Sequence, residues 1–368
     1  MKQINIGSSP MVHPMPDELS GPSHALLKKS LVVAVIAGSM ILATTAQAFE
    51  AKLSGQISRM VVAPDDAAGD ELQFVDIGWS GTRFRFTGSD TAANGLTWGF
   101  RFEIQARENS AGASNGGTLG DTGDNQDNRY QDIYLSGDFG KISFGKGDGA
   151  ANGSTEVDFS GTALASAAPL TDNWGGYQVA AGDAWKNYYT IADALSRQNR
   201  VRFDTPNFNG FSVAVGLNQG NSSELALRYK GDVGDGKLGF ALFTATAADI
   251  SATVDGAEIT GGSLSYLHGS GFNITVATSD IDADGPVVAG DKEATFVKVG
   301  YKTGMHAFSI DLGDGENGLG VGGDSTGFTY AFFPHKGVEL FATIRELDAD
   351  CVGCQSVDIT AIGSRIKF

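Results

Sequence analysis

The sequence predicts an all-β chain, sixteen antiparallel strands closed into a transmembrane β-barrel. Three observations predict it: a two-residue alternation of apolar and polar side chains, a regular exchange of short turns with long loops, and glycine at 51 of 368 positions, about twice the usual ~7 %. Proline is scarce, at 9 residues, so the glycine serves turns rather than low-complexity disorder.

The N-terminus sets the compartment. Lys28 and Lys29 precede an apolar run from Leu31 to Ala43, and Ala46-Gln47-Ala48 follows as a small-residue cleavage pattern. That order reads as a secretory signal peptide, and the run is too short and wrongly flanked for a spanning helix. Cleavage is expected after Ala48, so residues 1–48 are an extension plus signal and residues 49–368 the barrel. Met1–Leu27 carries nothing readable, as a start codon assigned too early would produce; sequencing the exported N-terminus tests this. Loss of Lys2, Asp17, Glu18, Lys28 and Lys29 leaves the mature chain one charge more negative than the −17 of the full sequence. Such a chain lacks the basic footprint of a nucleic-acid binder, and charge alone names no partner.

After Ala48 no stretch offers the ~20 apolar residues of a spanning helix; the longest apolar run, Leu238–Ala248, is about half that. Alternation is found instead. Phe211, Val213, Val215 and Leu217 alternate with Ser212, Ala214 and Gly216; Leu225, Leu227 and Tyr229 with Ala226 and Arg228. Phe272, Ile274 and Val276, then Val297, Val299 and Tyr301, then Phe308, Ile310 and Leu312 repeat the pattern. Period two means a strand with one apolar and one wet face.

Seven short connections separate these strands: Gly88–Gly95, Gly137–Gly140, Pro206–Gly210, Gly231–Gly236, His268–Gly271, Lys302–Met305 and Pro334–Gly337. They alternate with longer connections rich in Gly, Asn and Asp, which distinguishes an outer-membrane barrel from a soluble sandwich. The expected strands are residues 50–62, 72–88, 95–107, 128–137, 140–147, 198–205, 210–219, 223–231, 236–247, 259–268, 271–280, 293–302, 305–313, 325–333, 337–346 and 357–368. In hydrocarbon every backbone N–H and C=O must be paired, and only a sheet without edges achieves this. Almost no segment is apolar on both faces, so the inner face is expected to be wet, and sixteen strands can enclose water.

Several stretches carry a resemblance. Phe49–Arg59 (FEAKLSGQISR) opens the barrel, and Ser80–Gly88 (SGTRFRFTG) and Gly95–Glu103 (GLTWGFRFE) form a hairpin. Asn128–Gly145 and Asn199–Phe211 follow, and the chain ends Ser364-Arg-Ile-Lys-Phe368. In order, over the whole expected mature chain, these resemble the Gram-negative general-diffusion porins. That resemblance implies a homotrimer in the outer membrane, a multi-pass β-barrel passing small hydrophilic solutes and ions passively. It also implies that terminal Phe368 is read by the barrel-assembly machinery; the alternative is that Phe368 only completes an aromatic girdle.

The resemblance further implies that the third long loop, about residues 147–197, folds into the lumen as a constriction loop. Loops beyond ~12–15 residues are usually functional or disordered, and an exposed lid is the other reading. Its acidic residues include Glu156, Asp158 and Asp172, with Asp148 and Asp183 beside them; Trp174, Tyr177, Trp185, Tyr188 and Tyr189 are its expected anchors. Strand phase supplies a wall opposite. With Phe84, Phe86, Phe100, Phe102, Val201 and Phe203 facing out, Arg83, Arg85, Arg101, Glu103, Arg200 and Arg202 face in. Arg or Lys at midplane on the lipid face costs ~2–4 kcal/mol, which favours this assignment. A basic wall facing an acidic loop sets a transverse field that hydrates polar solutes and sets ion preference. Arg59 and Lys146 share the outward phase; a contact across the trimer interface and a bulge that rotates them inward are both open.

Cys351 and Cys354, the chain's 2 cysteines, form Cys-Val-Gly-Cys. In an oxidising compartment a small loop disulfide is favoured over free thiols. No His completes a zinc site, and no cofactor is expected. Acidic groups in other loops, Asp65/Asp66, Asp280/Asp282/Asp284, Asp311/Asp314/Glu316 and Asp348/Asp350, read as surface solvation, or as Ca2+ or other divalent bridges to lipopolysaccharide among the outer-membrane lipids. His268, His306 and His335 have no Ser or Asp partner at a motif spacing, and there is no Gly-x-Ser-x-Gly elbow or phosphate loop, so an enzyme is not expected. The rival readings are a sugar- or phosphate-selective channel and a surface β-protein with an adhesion or structural role.

Overall fold

The computed structural model describes residues 50–107, 125–248, 256–283 and 290–368; the expected signal segment, Phe49 and Asp284 lie outside them. The strands are β1 (Glu50–Asp65), β2 (Gln73–Asp76), β3 (Arg83–Thr91), β4 (Thr97–Arg107), β5 (Asn125–Gly137), β6 (Gly140–Asp148), β7 (Gln178–Ala180), β8 (Asp183–Ala184), β9 (Arg197–Asp204) and β10 (Phe211–Asn218). They continue as β11 (Ser223–Val233), β12 (Gly236–Ala247), β13 (Ala257–Leu267), β14 (Phe272–Ala283), β15 (Lys292–Thr303), β16 (His306–Glu316), β17 (Gly322–His335), β18 (Val338–Ala349) and β19 (Val357–Lys367). One short helix, α1 (Thr171–Trp174), lies in the long segment between β6 and β9.

Each wall strand pairs antiparallel with its neighbour, and β19 returns to pair with β1 over Gln56–Asp65, closing the sheet. Both β2 and β3 pair with β1 and occupy one place in the ring, so the described residues form a sixteen-stranded barrel. The strand expected over 72–88 is therefore interrupted. Residues 77–82 bulge out of the ladder, with buried Ile77 inside and Thr82 Oγ1 donating to Asp76 Oδ1 at 2.8 Å. The seven tight connections all lie at the end that also holds Glu50 and Phe368. Gly140 starts β6 and Gly271 immediately precedes β14 there, with φ of +114° and +99°, and a Cβ at either would run into the carbonyl oxygen of Asp204 or Lys302 respectively. Glycine is required at both.

The seam is completed by the last residue. Gly55 N–H donates to Phe368 O at 2.9 Å and Phe368 N–H to Gly55 O at 3.0 Å. Gly55 faces out, and its missing side chain leaves the space that the Phe368 ring covers.

The two faces of the sheet differ as the alternation requires. Leu53, Ile57, Phe144, Leu242, Ile310, Ile344 and Ile362 are each more than half exposed on the outer face. A monomeric soluble protein rarely presents such a continuous apolar band. The inner face is not uniformly wet, and this corrects the expectation from the sequence. Met60, Val62, Val75, Phe296, Leu347, Val357 and Ile359 point inward and are buried against Leu164, Leu170, Trp174, Tyr177, Trp185 and Tyr189 of the long segment. The barrel thus contains an apolar core, built where that segment lies on the wall.

Candidate functional site

Residues 149–196 run inside the barrel along β12–β18. Val157 and Phe159 N–H donate to Ser263 and Ser265 Oγ at 3.0 Å each, and Ser263 Oγ returns a bond to Ser154 O at 2.7 Å. Further along, Thr162 Oγ1 meets Ser309 Oγ at 2.8 Å, Ser166 Oγ donates to Asp311 Oδ2 at 2.7 Å and Ala192 N–H donates to Ser279 Oγ at 2.8 Å. Across the seam Trp79 N–H donates to Asn173 Oδ1 at 2.9 Å, and Trp185 Nε1 to Asp348 O at 3.0 Å. An irregular backbone at membrane depth needs such partners. All five aromatic residues expected as anchors are buried.

The wall beneath this segment is made of small residues. A Cβ on Gly239 would meet Phe159 and Val157, one on Gly313 would meet Leu170 and Tyr189, and one on Gly323 would lie 2.6 Å from Tyr188 Cβ and 2.9 Å from its carbonyl carbon. Gly323→Val should therefore lever the segment off the wall at a cost of ~1–3 kcal/mol, despite valine's preference for strands. The expected result is a larger, noisier single-channel conductance with the barrel still assembled; an unchanged conductance contradicts it.

The opposite wall, β3–β11, carries the arginines. Buried Glu103 accepts Arg129 Nε at 2.8 Å and Arg85 Nε at 2.6 Å, with Arg83 Nη1 at 3.5 Å. Asp132 holds Arg101 Nη2 at 3.2 Å and Arg200 Nη2 at 2.7 Å. The Arg101 guanidinium lies 3.5 Å from the Tyr130 ring centre, and Tyr130 Oη donates to Asp148 Oδ1 at 2.7 Å, where Arg197 Nε also sits at 3.5 Å. Arg202 grips Asp204 with Nε and Nη2, and its Nη1 donates to Gly149 O at 2.6 Å. Arg228 Nη2 donates to Ala150 O, Asn152 O and Ser154 Oγ at 2.7, 3.0 and 3.2 Å. Arg202 and Arg228 thus hold the start of the inner segment by its carbonyls, and Arg200 Nε holds Asp148 O at the end of β6 at 2.9 Å.

The inward phase assigned to Arg83, Arg85, Arg101, Glu103, Arg200 and Arg202 matches their contacts. Their partners differ from the expectation. The wall supplies its own carboxylates, and the acidic residues of the segment do not form a free face opposite. Asp158 instead pairs with buried Lys298 of β15 at 2.5 Å. Asp172 lies in the first turn of α1. Glu156 lies beside Asp193: burial, then Asp193 and Asp172, with Asp148 adding, raise it well above the usual carboxylate range against the pull of Arg197. Asp193 accepts Gly153 N–H at 2.5 Å; burial raises it to about 7, with Asp172 and Asp148 adding and the Gly153 bond and Arg197 opposing.

An acid whose folded pKa is raised is buried without penalty only while protonated. Stability is lost as pH rises from the unfolded value towards about 7. The segment should be held more firmly at pH 5.5 than at pH 8.5, on the order of tenths to a few kcal/mol. Open-channel noise should grow with alkaline pH, and Asp193→Asn should flatten the profile; a profile that Asn leaves intact contradicts the assignment.

Sequence reasoning missed Arg129. Its phase points outward, like Ile133, but the register shifts at Glu103/Ile104 and Arg129 is the extra residue of that bulge, which turns it onto Glu103 and Gln105. It also missed Lys298, Arg345 and Arg365. Arg345 pairs with Asp311 at 2.7 Å and both are fully buried, so Asp311 is a wall residue rather than a solvated loop acid. Asp66 likewise accepts Gln178 N–H at 2.9 Å and tethers β7.

Arg59 and Lys146 do face outward. Each has a partner within the chain: Asp76 at 3.1 Å, its opposite number on β2, and Asp127 at 3.3 Å. Cys351 and Cys354 form a disulfide with their Cα atoms 5.3 Å apart, next to Gln355, whose N–H donates to Val179 O at 2.8 Å. Among the described residues no cluster of His, Cys, Asp or Glu is arranged to hold a metal ion. His306 stacks on Tyr330 and Phe332 of the outer face, and His268 and His335 sit at turns.

Comparison with known proteins meets this geometry. The family described as Gram-negative porin matches residues 30–350. No curated protein matches the sequence. Among solved structures, an anion-selective porin from Comamonas acidovorans superposes with a TM-score of 0.61 at 16% identity, over 87% of this chain and 100% of its own. OmpT of Vibrio cholerae in its trimer form gives 0.59 at 15% identity over 88% of this chain and 100% of its own. A porin refined at 1.8 Å gives 0.55 at 21% identity over 87% and 100%. At these identities the structures attest the fold, and the family match covers most of the chain. With its closed ring, apolar outer band and arginine-lined interior, the chain belongs to the Gram-negative porin family: it is an outer-membrane channel, a multi-pass β-barrel.

Proposed function

We propose that the channel is a general-diffusion porin with a mild preference for anions, and that solutes pass between the inner segment and the arginine wall. One observation carries this reading. Arg83, Arg85, Arg101, Arg129, Arg197, Arg200 and Arg202 share four carboxylates, Glu103, Asp132, Asp148 and Asp204, and Arg228 beside them is held by the carbonyls of the inner segment. Base still exceeds acid when Glu224, buried nearby and bonded to the Leu195 N–H, is included. A wet wall with surplus guanidinium favours hydrated, anionic or zwitterionic solutes and disfavours apolar ones. Glu103 and Asp132 pair with the arginines along the wall and offset their mutual repulsion. The resemblance to an anion-selective porin agrees with this lean.

Planar-bilayer recording tests it. Conductance should step in threes, and a salt gradient should give a zero-current potential of anionic sign that shrinks in the Arg83→Ala/Arg85→Ala/Arg101→Ala variant. Absence of conductance, or a potential that this variant leaves alone, removes the reading. Saturable block by one sugar or by phosphate would favour a substrate-selective channel instead.

The remaining assignments belong to the same reading. The chain is exported by cleavage after Ala48 and works as a homotrimer, with Arg59 and Lys146 close to the subunit contact. Phe368, besides closing the seam, serves as the address read by the assembly machinery; normal assembly of a chain lacking it would remove that role. The exposed carboxylates at the loop end solvate that surface; bridging to lipopolysaccharide through divalent ions is the alternative, and a loss of stability on chelation would favour it.

A further inference from the structure

The Cys351–Cys354 disulfide stands where the wall meets the inner segment. It lies in the loop-end connection between β18 and β19 and joins cysteines 3 positions apart. A ring that small removes little freedom from the unfolded chain, so it adds little to the barrel as a whole. What it fixes is the local turn. Cys354 N–H donates to Cys351 O at 3.2 Å, and Gly353 between them has a φ of +86°. The tip of the turn is open: Val352 is fully exposed, and a Cβ on Gly353 would meet nothing within 4 Å. The two cysteines are half-buried and pack on the apolar core that the inner segment makes with the seam strands.

The residue after the bridge holds the outer end of the inner segment. Gln355 N–H donates to Val179 O of the β7–β8 hairpin at 2.8 Å. The neighbouring Gln178 is held by a second connection: Ala67 N–H donates to Gln178 O, and Gln178 N–H to Asp66 Oδ2, at 2.9 Å each. The hairpin is thus strapped between the β1–β2 and β18–β19 connections, and only the second strap has a covalent bond beside it. Lys186 and Asn187, just past the hairpin, are exposed.

We propose that this disulfide is a reversible thiol-exchange site, open to small dithiols at the loop mouth, and that its redox state sets how firmly the outer end of the inner segment is docked. A thiolate of the dithiol attacks one cysteine sulfur and forms a mixed disulfide, which the second thiol of the same reagent resolves. The Cys351–Cys354 bond is broken, two electrons and two protons end on the cysteine thiols, and the reagent leaves as its own disulfide. Exposed disulfides are the ones that exchange readily. Without the bridge the turn loses its fixed shape and Gln355 can leave Val179. The hairpin then keeps only the Asp66 and Ala67 strap, while the barrel stays closed by its own ladder.

The test treats the assembled channel with dithiothreitol under native conditions and counts released thiols with a maleimide label; the chain has 2 cysteines, and both should react. Trypsin should then cut after Lys186, as read from fragment mass, faster than in the oxidised protein, with the thermal unfolding temperature of the barrel unchanged. In planar bilayers, dithiothreitol on the loop side should raise open-channel noise, and oxidised glutathione should reverse the rise. The Cys351→Ser/Cys354→Ser variant should match the reduced channel from the start and ignore dithiothreitol. Absence of labelling in the native protein would overturn the proposal. So would labelling that leaves cleavage at Lys186 and noise unchanged, a rise in noise that re-oxidation does not reverse, or a serine variant that still responds. The noise readout rests on the reading that the lumen conducts. Cleavage at Lys186 does not, so a channel without conductance steps would refute conduction and leave trypsin to decide this site.

Discussion

Glu103→Gln is expected to be the most damaging single change in the barrel wall, lowering stability by about 3–5 kcal/mol. Its side chain is fully buried and accepts Arg85 and Arg129 directly with Arg83 close by. Glutamine keeps the shape but removes the charge, leaving three guanidinium groups facing one another. Removing one partner of a buried pair is costly because the other charges stay behind uncompensated, and here three remain. Water in the lumen relieves part of this, since the Arg85 side chain is 40% exposed, so the lower end of the range is expected. The thermal unfolding temperature of the barrel should fall, and the zero-current potential should move further to the anionic side. Adding Arg129→Gln should recover part of the loss, because the two residues are in contact and their effects are coupled. A Glu103→Gln channel as stable and as selective as wild type would show that the arginines do not depend on this carboxylate.

Trp174→Ala should act on the channel without opening the barrel. The indole is completely buried among the inner segment and the seam strands, its Nε1 donates to Ala165 O at 2.9 Å, and the Arg345 guanidinium lies 5.9 Å from its ring. Truncating a buried tryptophan costs ~3–5 kcal/mol when the surroundings cannot collapse. The wall is a closed ladder and cannot move inward, so the loss falls on the docking of residues 149–196. Conductance should rise and become noisy, while heat resistance of the barrel changes less than in Glu103→Gln. Loss of barrel assembly, or a quiet channel of wild-type conductance, would contradict this division between wall and inner segment.

What could be read beforehand follows from the reach of each interaction. The phase of Arg83 and Arg85 against Phe84 and Phe86 is a property of the pleat over a few residues, and so is legible. Arg129 is not, because one extra residue on β5 reverses its face, and no local pattern in Asn128-Arg129-Tyr130 announces it. The ion pair of Lys298 with Asp158 joins residues 140 positions apart, and depends on where the inner segment crosses β15. A usable signal did exist: the inward positions of β12–β17 are Gly, Ala and Ser far more than charged residues, which is the surface a second layer of chain needs in order to approach.

By itself the sequence determined that the wall has sixteen strand places, which end carries the turns and, the bulge at Arg129 apart, which wall side chains face in. All of these follow from alternation and glycine placement, which act within a few residues. Only the tertiary structure decided the partners. Closure of the ring brings Phe368 onto Gly55, the bulge brings Arg129 onto Glu103, and the inner segment turns half of a wet face into an apolar core. These contacts depend on register and on the path of a long loop, and their energy arises only once distant strands are side by side.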